Sequence, residues 1–161
     1  GAQNACPNRQ VISLSGDGGF TMMMGEMLTL KQLNLPIKIF VFNNEELSFI
    51  AMEMKASGYL DYATDFVNPD FGKLAEAAGI KGVSIQNSSE VDEKIMEALN
   101  HNGPVIVNVR VDKQELAMPP KIAYQQAKGF SKYLINAILD GRGTELKEMA
   151  KTNWMKYKSL F

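Results

Sequence analysis

Four short apolar runs alternate with segments of helical periodicity along this chain. The runs cover residues 11–14, 37–42, 81–85 and 105–111. Segments with apolar residues three and four positions apart separate them, at 21–33, 48–55, 71–78 and 88–100. Strands joined by helical crossovers are typically parallel, with right-handed connections. The pattern therefore predicts an α/β fold whose open parallel sheet is flanked by helices.

The alternation of apolar runs and helical segments ends after the fourth run. Met118-Pro119-Pro120 predicts a break, because proline cannot continue a helix. Two helices are predicted beyond it, over residues 124–139 and 144–160. We therefore divide the chain into a domain of residues 1–116 and a helical tail of residues 117–161.

The tail combines an apolar helical face with basic charge. From Arg142 onward it carries five basic and two acidic residues. A basic amphipathic helix suits a membrane interface, but the same face could pack on the domain or on a partner subunit. The apolar face is formed by Leu146, Met149, Ala150, Trp154 and Tyr157.

Composition restricts the class of protein. A chain of 161 residues suits one domain, and its net charge of −1 gives no sign of nucleic-acid binding. Cys6 is the single cysteine, which excludes an internal disulfide and fits a reducing cytoplasm. No stretch reaches the roughly 18 apolar residues of a membrane span. The first predicted strand begins abruptly, so we expect a piece of a longer protein.

Polar residues follow the first two strands at the point where each ends. Ser15-Gly16-Asp17-Gly18-Gly19-Phe20 follows the first, and Asn43-Asn44 follows the second. The carboxyl ends of parallel strands are where such sheets bind ligands. Asp17 and Asn44 offer the oxygen ligands that Mg²⁺ prefers, with a backbone carbonyl, that of Glu46, as a third. The glycines let backbone N–H groups approach an anion. We interpret the set as a site for a diphosphate bridged by Mg²⁺.

Other interpretations of these residues are weaker. A lone Asp-Gly is usually a turn, and a lone Asn-Asn is usually a loop. The nucleotide-binding patterns G-x-x-x-x-G-K-[ST] and G-x-G-x-x-G are both missing here. The combination and its spacing are therefore what indicate the site.

The motif resembles that of a known enzyme superfamily. Gly16-Asp17-Gly18, 24 further residues and Asn43-Asn44 resemble the thiamine-diphosphate motif of decarboxylases, oxidases and acetolactate synthases. The chain most resembles the last third of bacterial pyruvate:quinone oxidoreductases, which implies the thiamine-diphosphate-binding fold. This closer resemblance rests on residues 16–20, 41–44, 51–56, 118–120, 126–130, 141–143 and 150–154.

The resemblance implies a role for individual positions. Magnesium would be bound by Asp17, by the Asn44 side chain and by the main-chain oxygen of Glu46. Phe49 and Glu53 would lie between thiamine and flavin as catalytic residues. Ser48 departs from the glycine of relatives, and the side chains of Glu45 and Glu46 must point away from the anionic ligand. Backbone groups at the cofactor would come from Gly16, Gly18, Gly19, Leu47 and Ser48.

The resemblance also implies a reaction and partners. Pyruvate would lose CO2 and leave acetate, with electrons passing through FAD to a quinone. The enzyme would be a cytoplasmic dimer or tetramer with the cofactor at a subunit interface. Its tail would contact the inner face of the cell membrane peripherally. The activating glutamate and the main FAD-binding domain lie outside this chain, so we expect the chain alone to be inactive.

Three alternatives remain open at this stage. One is a phosphate-dependent pyruvate oxidase, which would form acetyl phosphate and would not need the basic tail. Another is an enzyme like acetolactate synthase. The third is a non-catalytic interaction module in which the tail is functional and Asp17 is a turn residue.

Overall fold

The computed structural model describes residues 1–115 and 123–158, with side chains through Trp154. The predicted break at 118–120 and the tail residue Tyr157 therefore lie outside the described side chains. In chain order the elements are α1 Ala2–Ala5, β1 Ile12–Gly16, α2 Asp17–Met22, a 3₁₀ turn Met24–Glu26, α3 Met27–Gln32, β2 Lys38–Asn43, α4 Ser48–Ala56, α5 Phe71–Ala77, β3 Lys81–Ile85, a 3₁₀ turn Ser88–Glu90, α6 Val91–Asn100, β4 Val105–Arg110, α7 Tyr124–Leu139 and α8 Gly143–Lys158.

The chain forms two compact units, and each contains two stretches of sequence. The first comprises Gly1–Glu45 and Val67–Val111. The second comprises Glu46–Phe66 and Asp112–Phe161. These units group residues by contact, and the predicted division into a domain of residues 1–116 and a tail of residues 117–161 stays a prediction.

The first unit contains a four-stranded parallel sheet in the order β1-β2-β4-β3. Gly16 of β1 is paired in register with Phe42 of β2, so both strands end at the same edge. The predicted α/β fold with an open parallel sheet, flanking helices and a helical tail is confirmed.

Two apolar clusters hold helices to this sheet. In one, Phe20, Met27 and Phe71 pack with Val41 and Ile106 of the central strands. In the other, α6 contributes its predicted apolar stripe, which packs against a second set of strand side chains. The stripe is Val91, Ile95 and Leu99, and the strand residues include Phe40, Val83, Ile85, Val105 and Val107.

The helix predicted over 21–33 is wrong in its extent. Helix α2 begins at Asp17, and the 3₁₀ turn at Met24–Glu26 separates it from α3. Met27 and Leu30 are buried as predicted, whereas Met23 is 65% and Leu33 56% exposed. Met23 adopts φ −120° and ψ 15°, which breaks the helical frame. Spacing measured across that break therefore no longer defines a single face.

The second unit is built on α4, α7 and α8. Tyr133, Ala137 and Met149 form its buried core, against which Leu146 packs. Trp154 is 74% exposed. The apolar face predicted for the tail is therefore divided, because part of it packs within this unit. Among the described residues, none of the helices has the length and apolarity needed to cross a bilayer.

Gly129 lets α7 approach the end of α4 closely. A Cβ atom there would overlap the carbonyl oxygen of Ala56. We expect Gly129→Ala to lower the free energy of unfolding by about 1–3 kcal/mol, since the helices must move apart. Urea unfolding of the full-length protein measures this effect.

Gly143→Ala is the matched control. It changes the same residue type, but its Cβ would meet no atom within 4 Å. Equal stability of the two variants would contradict the close approach at Gly129.

Candidate functional site

Asp17 occupies the junction between a strand and a helix. Gly16 ends β1 with extended backbone, φ −70° and ψ 154°, and Asp17 is the first residue of α2. The side chain is only 2% exposed. A buried carboxylate is costly unless hydrogen-bond donors surround it, so its partners define the site.

Four donors surround the Asp17 carboxylate. Oδ2 accepts hydrogen bonds from the backbone N–H groups of Asn44 (3.1 Å) and Glu45 (2.7 Å) and from Nδ2 of Asn68 (2.8 Å). Among the residues that the structure describes, Oδ1 accepts one bond, from the Gly18 N–H at 2.8 Å. The ends of β1 and β2 therefore meet at this carboxylate, as expected for neighbouring parallel strands.

The backbone after β2 is bent around that carboxylate. Glu45 has φ +60°, a left-handed conformation that is uncommon for a residue other than glycine. Two successive N–H groups consequently point to the same oxygen, a concave arrangement that favours anions. Because such a conformation costs about 1 kcal/mol or more, the hydrogen bonds to Asp17 help to hold it.

Three asparagines extend the network away from Asp17. The Asn68 amide donates to Oδ1 of Asn43 (3.0 Å) as well as to Asp17. Asn43 in turn donates to Oδ1 of Asn108 (2.9 Å). Asn43 and Asn108 are 3% and 2% exposed, so this is a buried polar chain. Sequence reasoning missed both Asn68 and Asn108 as site residues. Before Pro69, Asn68 indicates only the entry to a helix, and no local pattern marks Asn108.

The charge of Glu45 is compensated by an arginine. Arg110, the last residue of β4, forms a two-pronged ion pair with the Glu45 carboxylate, with both N–O distances 2.9 Å. The bond to Glu45, with the charges of Glu45 and Asp17, raises the pKa of Arg110. The repulsion expected between the Glu45 carboxylate and an anionic ligand is thus reduced by Arg110, a residue that sequence reasoning had not identified.

Glu46 and the residues that follow it as far as Phe66 belong to the second unit. The Glu46 side chain is buried, and burial raises the pKa of its carboxyl although Lys55 and Lys113 lower it. Its backbone bridges Asp65, and its carbonyl oxygen accepts a 3.4 Å hydrogen bond from the Ser48 hydroxyl.

The other predicted residues of this unit lie on or near α4. Leu47 precedes the helix and donates its N–H to the Thr64 carbonyl at 2.8 Å. Phe49 is 79% exposed, and Glu53 is also exposed. Both are available to a ligand or partner, and their catalytic roles stay predictions.

The residues of the first unit suit a hard cation. Asp17 supplies a carboxylate and Asn44 a neutral amide oxygen, the donor types that Mg²⁺ accepts. Three donors hold Oδ2, which leaves Oδ1 with the greater remaining acceptor capacity. In the described part of the chain, no group of three or more His, Cys, Asp or Glu side chains could hold a metal ion. The candidate site has instead one carboxylate, that of Asp17, and one side-chain amide, that of Asn44. Backbone N–H groups donate hydrogen bonds to the carboxylate.

Comparison of the sequence with known proteins identifies relatives of this chain. Residues 1–109 match the family model described as thiamine pyrophosphate enzyme, C-terminal TPP binding domain. YdaP of Bacillus subtilis (strain 168), provisionally named a thiamine pyrophosphate-containing protein, is 38% identical over 91% of this chain. The mitochondrial acetolactate synthase catalytic subunit of Saccharomyces cerevisiae (strain ATCC 204508 / S288c) is 38% identical over 74% of it.

A bacterial acetolactate synthase shows similar identity. The large subunit of isozyme 2 from Escherichia coli (strain K12) is 36% identical over 74% of the chain. The aligned region corresponds to 25% of YdaP, 18% of the yeast protein and 22% of the E. coli protein. The chain therefore spans about a quarter or less of the length of these relatives.

Proposed function

Because this chain belongs to the thiamine pyrophosphate enzymes, as their C-terminal TPP-binding domain, we propose that its Asp17 edge binds the diphosphate through Mg²⁺. The observation that carries this proposal is the buried Asp17 carboxylate, whose Oδ2 is held by three donors from two other segments. Such a carboxylate is fixed before any ligand arrives, which favours a defined cation geometry.

Each residue of the site has a proposed role. Asp17 and the Asn44 side chain bind the cation, and the Glu46 carbonyl is its third protein ligand. Gly18 and Gly19 lie at the start of α2 and are proposed to contact the diphosphate through backbone groups, although the Gly18 N–H already donates to Oδ1 of Asp17. The remaining proposed contacts to the cofactor come from Gly16, Leu47, Ser48, Phe49 and Glu53. Bound thiamine diphosphate supplies a carbon nucleophile and holds the electron pair that decarboxylation leaves.

The proposed reaction of the full-length enzyme is oxidative decarboxylation of pyruvate to acetate and CO2, with electrons passing through FAD to a quinone. This proposal rests on the segments that resemble pyruvate:quinone oxidoreductases, including residues 126–130 and 150–154. Similarity to YdaP over 91% of the chain extends well into the tail, which lies beyond the 1–109 family match.

Acetolactate synthesis is the second candidate function. It is favoured by relatives that carry this name and are 36–38% identical to the chain. Their alignments cover 74% of the chain, which is less than that of YdaP. A phosphate-dependent pyruvate oxidase stays a third possibility, whereas family membership disfavours a purely non-catalytic module.

Anaerobic addition of pyruvate to the full-length protein distinguishes these reactions. We expect bleaching of the flavin absorbance, recovery of the absorbance on addition of a quinone, and one acetate for each pyruvate consumed. Acetolactate formation with the flavin unchanged would favour the synthase instead. A requirement for phosphate, with acetyl phosphate as product, would favour the phosphate-dependent oxidase.

Assembly and location are also proposals. The enzyme is proposed to be a cytoplasmic homo-oligomer, a dimer or tetramer, with the cofactor at a subunit interface. Its tail is proposed to contact the membrane peripherally. Because Leu146 and Met149 pack within the second unit, that contact would use the side of α8 that carries Trp154.

A further inference from the structure

We propose that Asn68 is a positioning residue, which orients the Asp17 carboxylate so that Oδ1 is the oxygen that binds the cation. This inference rests on the proposed function, because it assigns a role at the same site. Asn68 lies 51 positions from Asp17 in sequence, yet its amide is 2.8 Å from Oδ2.

The hydrogen bonds determine which way the Asn68 amide faces. An ionised carboxylate only accepts hydrogen bonds, so Asn68 must present its NH2 group to Asp17. The second proton of that group is donated to Oδ1 of Asn43, at 3.0 Å. Asn43 must therefore direct its own NH2 group to Asn108, as observed at 2.9 Å. The order of donors and acceptors is consistent along the whole chain of amides.

The residues that follow Asn68 hold its backbone in place. Pro69 follows it, and a residue before proline is restricted to extended conformations. Asp70 then caps α5, accepting from the N–H groups of Gly72 (2.9 Å) and Lys73 (3.3 Å) and from the Ser84 hydroxyl. Helix α5 packs on the sheet through Phe71. The backbone of Asn68, just before this helix, is therefore held in place relative to the sheet.

Asn68 holds the Asp17 carboxylate from a direction that the backbone donors do not cover. The N–H groups of Asn44 and Glu45 reach Oδ2 from adjacent residues of one turn. Asn68 reaches the same oxygen from a separate segment, which constrains rotation of the carboxylate. Groups that orient a metal ligand typically change metal affinity by about 10- to 100-fold when removed.

Binding of Mn²⁺ to the full-length protein with thiamine diphosphate tests this role, with Mn²⁺ as the spectroscopic probe for the cation. We expect Asn68→Ala to weaken Mn²⁺ binding by about 10- to 100-fold and to broaden the electron paramagnetic resonance signal of the bound ion. Asn68→Ser keeps a small polar side chain but lacks the two-proton amide, so we expect a loss within the same range. Asn87→Ala changes an exposed asparagine of the same unit and should bind Mn²⁺ as the wild type does.

The outcomes separate this inference from the proposed function. Wild-type Mn²⁺ affinity and line shape in a folded Asn68→Ala or Asn68→Ser protein, together with loss of binding in Asp17→Ala, would overturn only the role of Asn68. Unchanged binding in Asp17→Ala as well would overturn the proposed metal site itself. Loss of binding in both Asn68 variants, with urea unfolding midpoints like that of Asn87→Ala, would support positioning.

Discussion

Asp17→Asn is expected to weaken binding of thiamine diphosphate and Mg²⁺ to the full-length protein by about 100-fold or more. Removal of a group that merely orients a metal ligand already costs about 10- to 100-fold, and Asp17 is proposed to be a ligand itself. The substitution keeps the shape of the side chain, but it removes the charge that three donors to Oδ2 now stabilise. Isothermal titration with the cofactor, at fixed Mg²⁺ concentration, measures the affinity.

Asp92→Asn is the matched control for this substitution. Asp92 is an exposed carboxylate of α6 in the same unit, so its replacement changes the net charge equally. We expect the control to bind the cofactor like the wild type. Similar affinities for wild type and Asp17→Asn would contradict the assignment of Asp17 as a metal ligand.

Arg110→Glu is expected to weaken cofactor binding by about 100-fold. In the wild type the Arg110 guanidinium neutralises the Glu45 carboxylate through two contacts of 2.9 Å. The variant would place two carboxylates next to the turn that holds Asp17, where the proposed ligand is an anion. Two unit charges 4 Å apart interact with about 1 kcal/mol in bulk water and about 4 kcal/mol near a protein surface. The binding free energy that corresponds to a 100-fold change in affinity lies between these two values.

Exchanging the two charges distinguishes this electrostatic effect on cofactor binding from a loss of folding. The double variant Glu45→Arg/Arg110→Glu restores an ion pair with reversed direction, so we expect it to recover most of the lost affinity. Arg9→Glu makes the same change in net charge at an exposed position before the other end of β1 and should have little effect. Equal affinities of Arg110→Glu and Arg9→Glu would contradict a local electrostatic role.

The alternation of apolar runs and helical segments was sufficient to predict the parallel sheet. Strand β3 was predicted with its observed bounds, and so was the long helix Tyr124–Leu139. Asp17 and Asn44 could also be paired from sequence, because consecutive parallel strands end at the same edge of a sheet. These predictions depend on local pattern and on short connections, which the sequence expresses directly.

Asn68 and Arg110 could not be found in this way. Arg110 lies near Glu45 because β4 pairs with β2, and Asn68 reaches Asp17 from a separate segment of the chain. Both placements result from tertiary packing rather than from local spacing. Asn68 is recognisable only by its place before Pro69 at the start of α5, a pattern typical of a helix entry. The break at Met24–Glu26 was missed for a related reason, since periodicity alone continued through it.

Hyperfine coupling between Mn²⁺ and phosphorus tests the central claim most directly. In the Mn²⁺-loaded full-length protein with thiamine diphosphate, we expect electron–nuclear double resonance to detect ³¹P coupling from the diphosphate to the bound ion. After unbound Mn²⁺ and cofactor are removed by gel filtration, we expect this coupling in the wild-type protein and its loss in Asp17→Ala. The same coupling in both proteins would contradict the claim that the Asp17 edge holds the metal that bridges the diphosphate.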